Sequence, residues 1–406
     1  MRSHPSPHRR NARRLRLATL AGLAAILVLA LSPARLAAQT SGRQVTRTVQ
    51  GSIPVSTPMQ LRVAAELADV TVTGGPAGAL RYTIRLRTRA GSGARARLDA
   101  WPVSVRQEGR VIVVATGRGP GAGHTHVEIA ITVPPLVRNV RVHSGVGNLR
   151  ADRLAGALHA VTAAGNIAVD AVQGEVRVET AGGNVILGHL DAGVHATTAG
   201  GNITLAAAAG PVRLQSQGGN ITIGHTAAAA HVATAGGTIS LGSAGGDVIA
   251  ETAGGNIHLG AVAGSVRAES GGGNIRIARA RGIRCRTGGG NIYLTASAGP
   301  VRAATGAGSI HATITAAPGQ FAASQLQTAA GGIFVYLPPS LPLTVDAVAH
   351  AGGRLTSDIP QIASAAASSG GATADVALNG GGPELRISTS NGGIHIRKLN
   401  SRPASR

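Results

Sequence analysis

The residues with the greatest chemical reach in this chain recur on a fixed count. His159, Arg177, His195, Arg213, His231, Arg267, Arg284 and Arg302 lie 18 residues apart, except that Ile249 takes one place and the step into Arg284 is 17. Imidazoles and guanidiniums repeated at one interval make a line of positive charge if the backbone repeats its geometry at the same interval. Such a line suits a linear polyanion: an acidic polysaccharide, the phosphates of lipopolysaccharide, or nucleic acid. Recognition of single-stranded nucleic acid also needs rings on which bases can stack. The line has none, and Tyr293 falls on a neighbouring run, which argues against a specific nucleic-acid partner. A solvated strand face explains the same residues. All but one of the 38 basic residues are arginine, Lys398 being the exception, so arginine is the polar residue most available to any surface.

Other groupings are thinner. His124-Thr-His126-Val-Glu128 alternates two imidazoles and a carboxylate on one strand face, a possible half of a zinc site with no nameable fourth ligand. Calcium-binding glycine turns need aspartates, and the equivalent places here hold Asn, Thr or Ser. Glycoside hydrolysis needs two carboxylates close together. The acids of the repeat region are scattered over different places, with Asp152 and Asp170 making one weak pair in adjacent units. A polysaccharide-cleaving parallel β-helix enzyme is therefore the alternative to a non-catalytic chain. No catalytic residue, cofactor or metal ligand is assigned. Cys285 is the only cysteine, which excludes an intramolecular disulfide. It shares its place with Ala250 and Ala268, as expected of a buried small hydrophobe; a reactive thiol or an intermolecular bridge is the alternative.

What would bring the cations into line is the repeat itself. Asn148, Asn166, Asn184, Asn202, Asn220, Thr238, Asn256, Asn274, Asn291 and Ser309 anchor successive units. Counting the anchor as position 0, apolar residues fill positions 1 and 3 (Ile203 and Leu205) and positions 10 and 12 (Val212 and Leu214). Position 14 carries a hydroxyl from Thr162 to Thr305. Two short runs of period-2 alternation bounded by glycine predict two β-strands per unit. A short strict period predicts a solenoid of stacked coils. The expected fold is all-β: a right-handed parallel β-solenoid rising ~4.8 Å per coil. Positions 1, 3, 10, 12 and 14 face inward and position 11, the cationic line, faces out. The glycines before each anchor are expected to supply positive φ at a sharp corner, and the anchor amides to hydrogen-bond to one another along the stack.

The ends depart from the period. Residues 39–137 read as a β-rich N-terminal cap, with alternating runs at Leu61–Val63, Val70–Val72, Tyr82–Leu86, Val103–Val105, Val111–Val113 and Val127–Val133 and a hairpin turn at Glu108-Gly109. The first coil is expected near Val140 and Val142. Regular repeats occupy 138–316, and 317–406 read as irregular coils and a cap that shields the last strand edge, with a loop over 362–374. Residues 1–38 resemble a signal peptide: Arg9, Arg10, Arg13, Arg14 and Arg16 precede the apolar stretch Leu17–Leu31, and cleavage after Ala38 fits. An uncleaved anchor is the alternative, although the stretch is shorter than the ~20 residues of a comfortable span. Cleavage leaves 31 basic and 17 acidic residues, so the mature chain stays basic. Only six residues are aromatic, fewer than a globular core of this length would use but sufficient for a narrow solenoid interior.

The Gly-Gly-Asn-Ile-x-Leu repeats resemble the adhesin-like β-solenoid proteins of bacterial envelopes, a domain family of unknown function. So do the segment Asp69–Gly75, the step Val133-Pro-Pro135 and the closing run Leu385–Ile394. The resemblance implies an exported, structural or adhesive protein of the periplasm, outer membrane or cell exterior. It supplies no catalytic motif.

Overall fold

The computed structural model of the protein describes residues 37–41 (as backbone), 44–297 and 299–399. The targeting segment read in residues 1–38 lies almost wholly outside them. Among the described residues, no helix is long and apolar enough to cross a membrane.

Each 18-residue unit forms one coil and contributes one strand to each of two long, mostly parallel sheets. In one coil Val176–Thr180 joins the second sheet and Val185–Leu190 the first. Pairing is offset by one unit, Val176 to Val194 and Val185 to Ile203, and this register persists through the regular coils. Among the described residues the first sheet has 18 strands with its end pieces. The side chains at positions 1, 3, 10, 12 and 14 are buried, as Ile203, Leu205, Val212, Leu214 and Ser216 show. Full burial of each aliphatic side chain stabilises the fold by ~1.5–3 kcal/mol. Stacking is what removes these faces from water, since one coil alone has no interior.

Position 6 also faces inward, which simple alternation does not predict. Leu190, Ala208, Thr226, Ala244, Val262, Ala280 and Ser297 are all buried. Alternation slips by one residue inside the strand: Ile221–Thr226 is buried at its first, third and sixth residues, and the ladder passes from Leu187–Leu205 directly to His189–Ala207. The skipped pair brings position 6 to the inner face.

The corner before each anchor is built differently from the expectation. In the regular coils from Gly183 to Gly308, the glycine preceding the anchor does not have positive φ; Gly147 and Gly165, before Asn148 and Asn166, do, as does Gly331 beyond the regular coils. Glycine is needed for close approach instead. A Cβ on Gly183 would overlap the carbonyl of Gly165 in the coil before, and the same holds for Gly201, Gly219, Gly237, Gly255 and Gly273. The anchors also bond differently. The Oδ1 of Asn184 accepts from the backbone N–H of Asn202 at 2.9 Å, and the same bond recurs along the row. Among the described residues one amide-to-amide bond occurs, at the start of the row, where the Nδ2 of Asn166 donates to Asn148 at 3.3 Å. The buried hydroxyl of Thr180 closes the corner: it donates to Gly165 O at 2.9 Å and accepts from Gly183 N–H at 3.2 Å.

At the N-terminal end, Met59–Leu67 and Asp69–Gly74 lie parallel to Val137–Val146 and Leu149–Asp152. Residues 59–74 are thus a coil of the solenoid, ahead of the one expected to be first, and Asp69 takes the anchor place by accepting from Asn148 N–H at 2.7 Å. Gly78–Arg89 lies antiparallel between Gln44–Val55 and Thr125–Val133. Val103–Glu108 and Val111–Thr116 form the hairpin expected at Glu108-Gly109. A short helix, α1 (Ala94–Asp99), was not predicted; Leu98 buries it, and Arg47 ties down its end by donating to the carbonyls of Leu98 at 2.7 Å and Trp101 at 3.0 Å.

The C-terminal coils stack out of chain order. Glu384–Asn391 and Ile394–Lys398 insert between the coil of 324–337 and the strands Leu343–Ala349 and Leu355–Ser357. The loop expected over 362–374 is corrected in its first half to a second helix, α2 (Pro360–Ser368), with Pro360 at its start and Ile362 and Ala366 buried. Alanine favours helix, but a run of alanines and serines without a polar–apolar rhythm gave the sequence no helical period to show it. Thr373–Leu378 then closes the second sheet as an antiparallel edge.

Candidate functional site

The cationic row stands on the outer face of the second sheet because positions 10 and 12 pin its neighbours inside. Direct cross-strand pairing links His159 to Arg177, Arg177 to His195, His195 to Arg213 and Arg213 to His231. It continues through Ile249 to Arg267, Arg284 and Arg302. The five arginines are exposed and the three histidines half-buried. Arg267 keeps step with Arg284 although the unit between them is one residue short, because the deletion falls in the turn before Gly282.

The row extends beyond the residues found by counting. Arg141 pairs with His159, and Arg62 with Arg141. At the far end Arg302 pairs with Gln325 and Gln325 with Arg386. Arg141 was findable, since it lies one period before His159. Arg62 and Arg386 were not, since long excursions separate them from their neighbours. Arg286, one row over, pairs with Glu269 and Ala304 and adds a cation beside Arg284.

The row is unevenly compensated. Arg177 pairs with Glu179 at 2.9 Å and Arg267 with Glu269 at 2.8 Å, while Arg386 holds Asp346 and Glu384. Among the described residues, Arg213, Arg284 and Arg302 have no acidic partner. Exposed pairs contribute little to stability, so the acids mainly trim local charge. The segment Arg284–Arg286–Arg302 is consequently the most positive part of the face. Burial, and then the flanking Arg177 and Arg213, hold the His195 imidazole below its usual value, against the opposing pull of Glu179 and Glu175.

Asp152 and Asp170 are neighbours across the first sheet, but one oxygen of each is engaged. Asp170 Oδ1 accepts from the N–H groups of Ala171 and His189, each at 2.9 Å, and Asp152 pairs with Arg153 at 3.2 Å. Cys285 is buried and its thiol pushed up to about 12, as the shared place with Ala268 implies.

A second outer feature was missed. On the first sheet Tyr293, His311, Phe334 and His395 stack with centroids 5.1, 4.6 and 4.7 Å apart, Arg276 lies 5.1 Å over the Tyr293 ring, and Thr356 bonds His395 at 2.7 Å. The 18-residue spacing of Tyr293 and His311 was visible; the last two rings join only through the inverted coil order. Their faces are spent on one another, so the stack serves as a structural ladder rather than a platform.

No family model matches the chain, and no curated protein matches it. Solved structures overlap much of its length at low similarity. A candidate adhesin from Bacteroides fragilis is 13% identical, covering 88% of this chain and 98% of its own, with a TM-score of 0.21. A candidate adhesin from Parabacteroides distasonis is 12% identical, covering 71% and 97%, with a TM-score of 0.26. A candidate lipid-binding protein from Parabacteroides distasonis is 13% identical, covering 88% and 98%, with a TM-score of 0.20. Overlaps at these TM-scores assign no ligand.

Proposed function

We propose that this chain is an exported, non-catalytic β-solenoid of the bacterial cell envelope that binds a polyanionic polymer, an acidic polysaccharide or lipopolysaccharide, along the outer face of its second sheet. One observation carries the proposal: cations stand in direct register over many coils, and three of them, Arg213, Arg284 and Arg302, lack acidic partners among the described residues. A strand spacing of ~4.8 Å is comparable to the charge spacing of a linear polyanion, so one polymer can meet several rungs at once. Export rests on the basic and apolar N-terminal segment. The non-catalytic assignment is supported by Asp152 and Asp170, whose carboxylates serve the backbone and Arg153.

The test is binding of polygalacturonate and of purified lipopolysaccharide across a salt series. Affinity should fall with rising salt, because binding releases condensed counterions. The triple variant Arg213→Ala/Arg284→Ala/Arg302→Ala should bind at least tenfold more weakly, and its log–log salt slope should be shallower by roughly 2. Unchanged affinity and slope in that variant would remove the row as the binding face. Release of reducing or unsaturated ends from the polysaccharide by the wild-type chain would replace the non-catalytic assignment with the enzyme.

A further inference from the structure

His124, His126 and Glu128 alternate along one stretch of chain, but the fold does not gather them around a cation. Arg87 occupies the carboxylate of Glu128, and His126 Nε2 lies 3.3 Å from Glu128 and 3.4 Å from Asp69. His124 instead opens onto a cleft of about 1200 Å³ bounded by Arg87, Arg89, Arg97, Gly121, His124 and His126. We propose that this cleft binds a phosphate monoester.

Three guanidiniums reach the cleft from two elements. Arg87 and Arg89 lie on the strand Gly78–Arg89, where Arg87 sits directly opposite His126, and Arg97 comes from the last turn of α1. Glu128 offsets Arg87; Arg89 and Arg97 have no acidic partner among the described residues. Arg97 is seated rather than free. Its stem crosses Gly121, whose φ of 71° suits glycine and where a Cβ would come within 3.1 Å of Arg97 Cδ. Its Nη1 donates to Ser92 O at 3.0 Å, which orients the remaining donors. The segment Gly121–Thr125 is tied down by Thr88 Oγ1, which donates to His124 O at 3.1 Å, and by Thr125 Oγ1, which donates to Gly121 O at 3.3 Å. Guanidinium forks match the oxygens of a phosphate and bind it with short charge-assisted hydrogen bonds. A bare anion would leave most of the cleft empty, whereas an ester brings a sugar-sized group that fills part of a cleft roomier than the ~300–1,000 Å³ of most small-molecule sites. The cleft belongs to the first sheet and the N-terminal cap, so it is distinct from the cationic row.

The experiment is a titration of the full-length mature chain followed by the backbone amides of Thr88, Gly121 and Thr125 in NMR spectra, with glucose 1-phosphate, inorganic phosphate and glucose as probes. Glucose 1-phosphate should give saturable shifts at these amides and glucose none. Arg89→Ala/Arg97→Ala should weaken binding about tenfold or more, with the exposed single variant Arg89→Ala intermediate. The variant Arg213→Ala/Arg284→Ala/Arg302→Ala should bind as wild type, which separates this site from the polymer-binding face. Saturation by inorganic phosphate alone would overturn the ester. Wild-type affinity in the double variant, or equal loss in the triple variant, would overturn the cleft.

Discussion

Gly182 and Gly183 are adjacent glycines under opposite constraints. A Cβ on Gly183 would overlap Gly165 O, whereas one on Gly182 would meet nothing within 4 Å. Gly183→Ala should therefore lower stability by ~2 kcal/mol or more, within the range of strongly destabilising single changes, and Gly182→Ala should stay within ~0.5 kcal/mol of wild type. Urea unfolding midpoints compare the two, and equal midpoints would contradict the close approach. Cys285 makes a second test at this scale. With its thiol pushed up to about 12 and fully enclosed, it should resist a disulfide reagent in the native protein and react stoichiometrically once the chain is unfolded; prompt native-state labelling would place it at the surface. For His195, burial, Arg177 and Arg213 hold the imidazole below its usual value. The unfolded chain then takes up the proton more readily than the folded one, so this group's contribution to stability is present above pH ~6.5 and is lost as pH falls through the lower folded value. Arg213→Ala should raise the His195 titration midpoint in NMR, because a like charge leaves the adjacent rung. A midpoint that stays put or falls would show that Arg213 is not felt there.

At the scale of the element, each corner depends on one hydroxyl that serves two coils. Thr180→Val keeps the shape but strands Gly165 O and Gly183 N–H, at a cost of ~1–3 kcal/mol. Thr180→Ser should retain most of the stability, as Ser216 and Ser270 do the same work at their own corners. Equal unfolding midpoints for the Val and Ser variants would show that the hydroxyl contributes nothing. Strand existence, strand number per coil and the inward rows were legible in the sequence because side-chain alternation has period 2 and the unit repeats it. The inward turn at position 6 was not, because Leu190, Thr226 and Ser297 share a place without sharing a chemical type. Helix α2 escaped for a related reason: alanines and serines without a polar–apolar rhythm look alike in helix and loop.

At the scale of the molecule, the stack converts local spacing into reach. From Arg141 to Arg302 the row crosses nine strand steps, ~43 Å at ~4.8 Å each. Affinity for acidic oligosaccharides of graded length should therefore climb until the extended oligomer reaches about that span and level off beyond it. A plateau reached by a disaccharide would place binding at one local subsite such as Arg284, Arg286 and Arg302.

The 18-residue period by itself determined the solenoid, its two strands per coil, the buried Cys285 and the outward row of His159, Arg177, His195, Arg213, His231, Arg267, Arg284 and Arg302, because identical units stacked in register must repeat every contact. Only the tertiary structure decided what depends on segments meeting out of sequence. It placed residues 59–74 as a coil before the expected first one, and slid Ile394–Lys398 between two earlier strands so that His395 stacks on Phe334. It also placed His124, to which the sequence assigned no role, in the wall of an arginine-lined cleft. A period reports neighbours one unit apart; contacts closed across an excursion of many tens of residues leave no trace in it, since the folded chain alone brings them together.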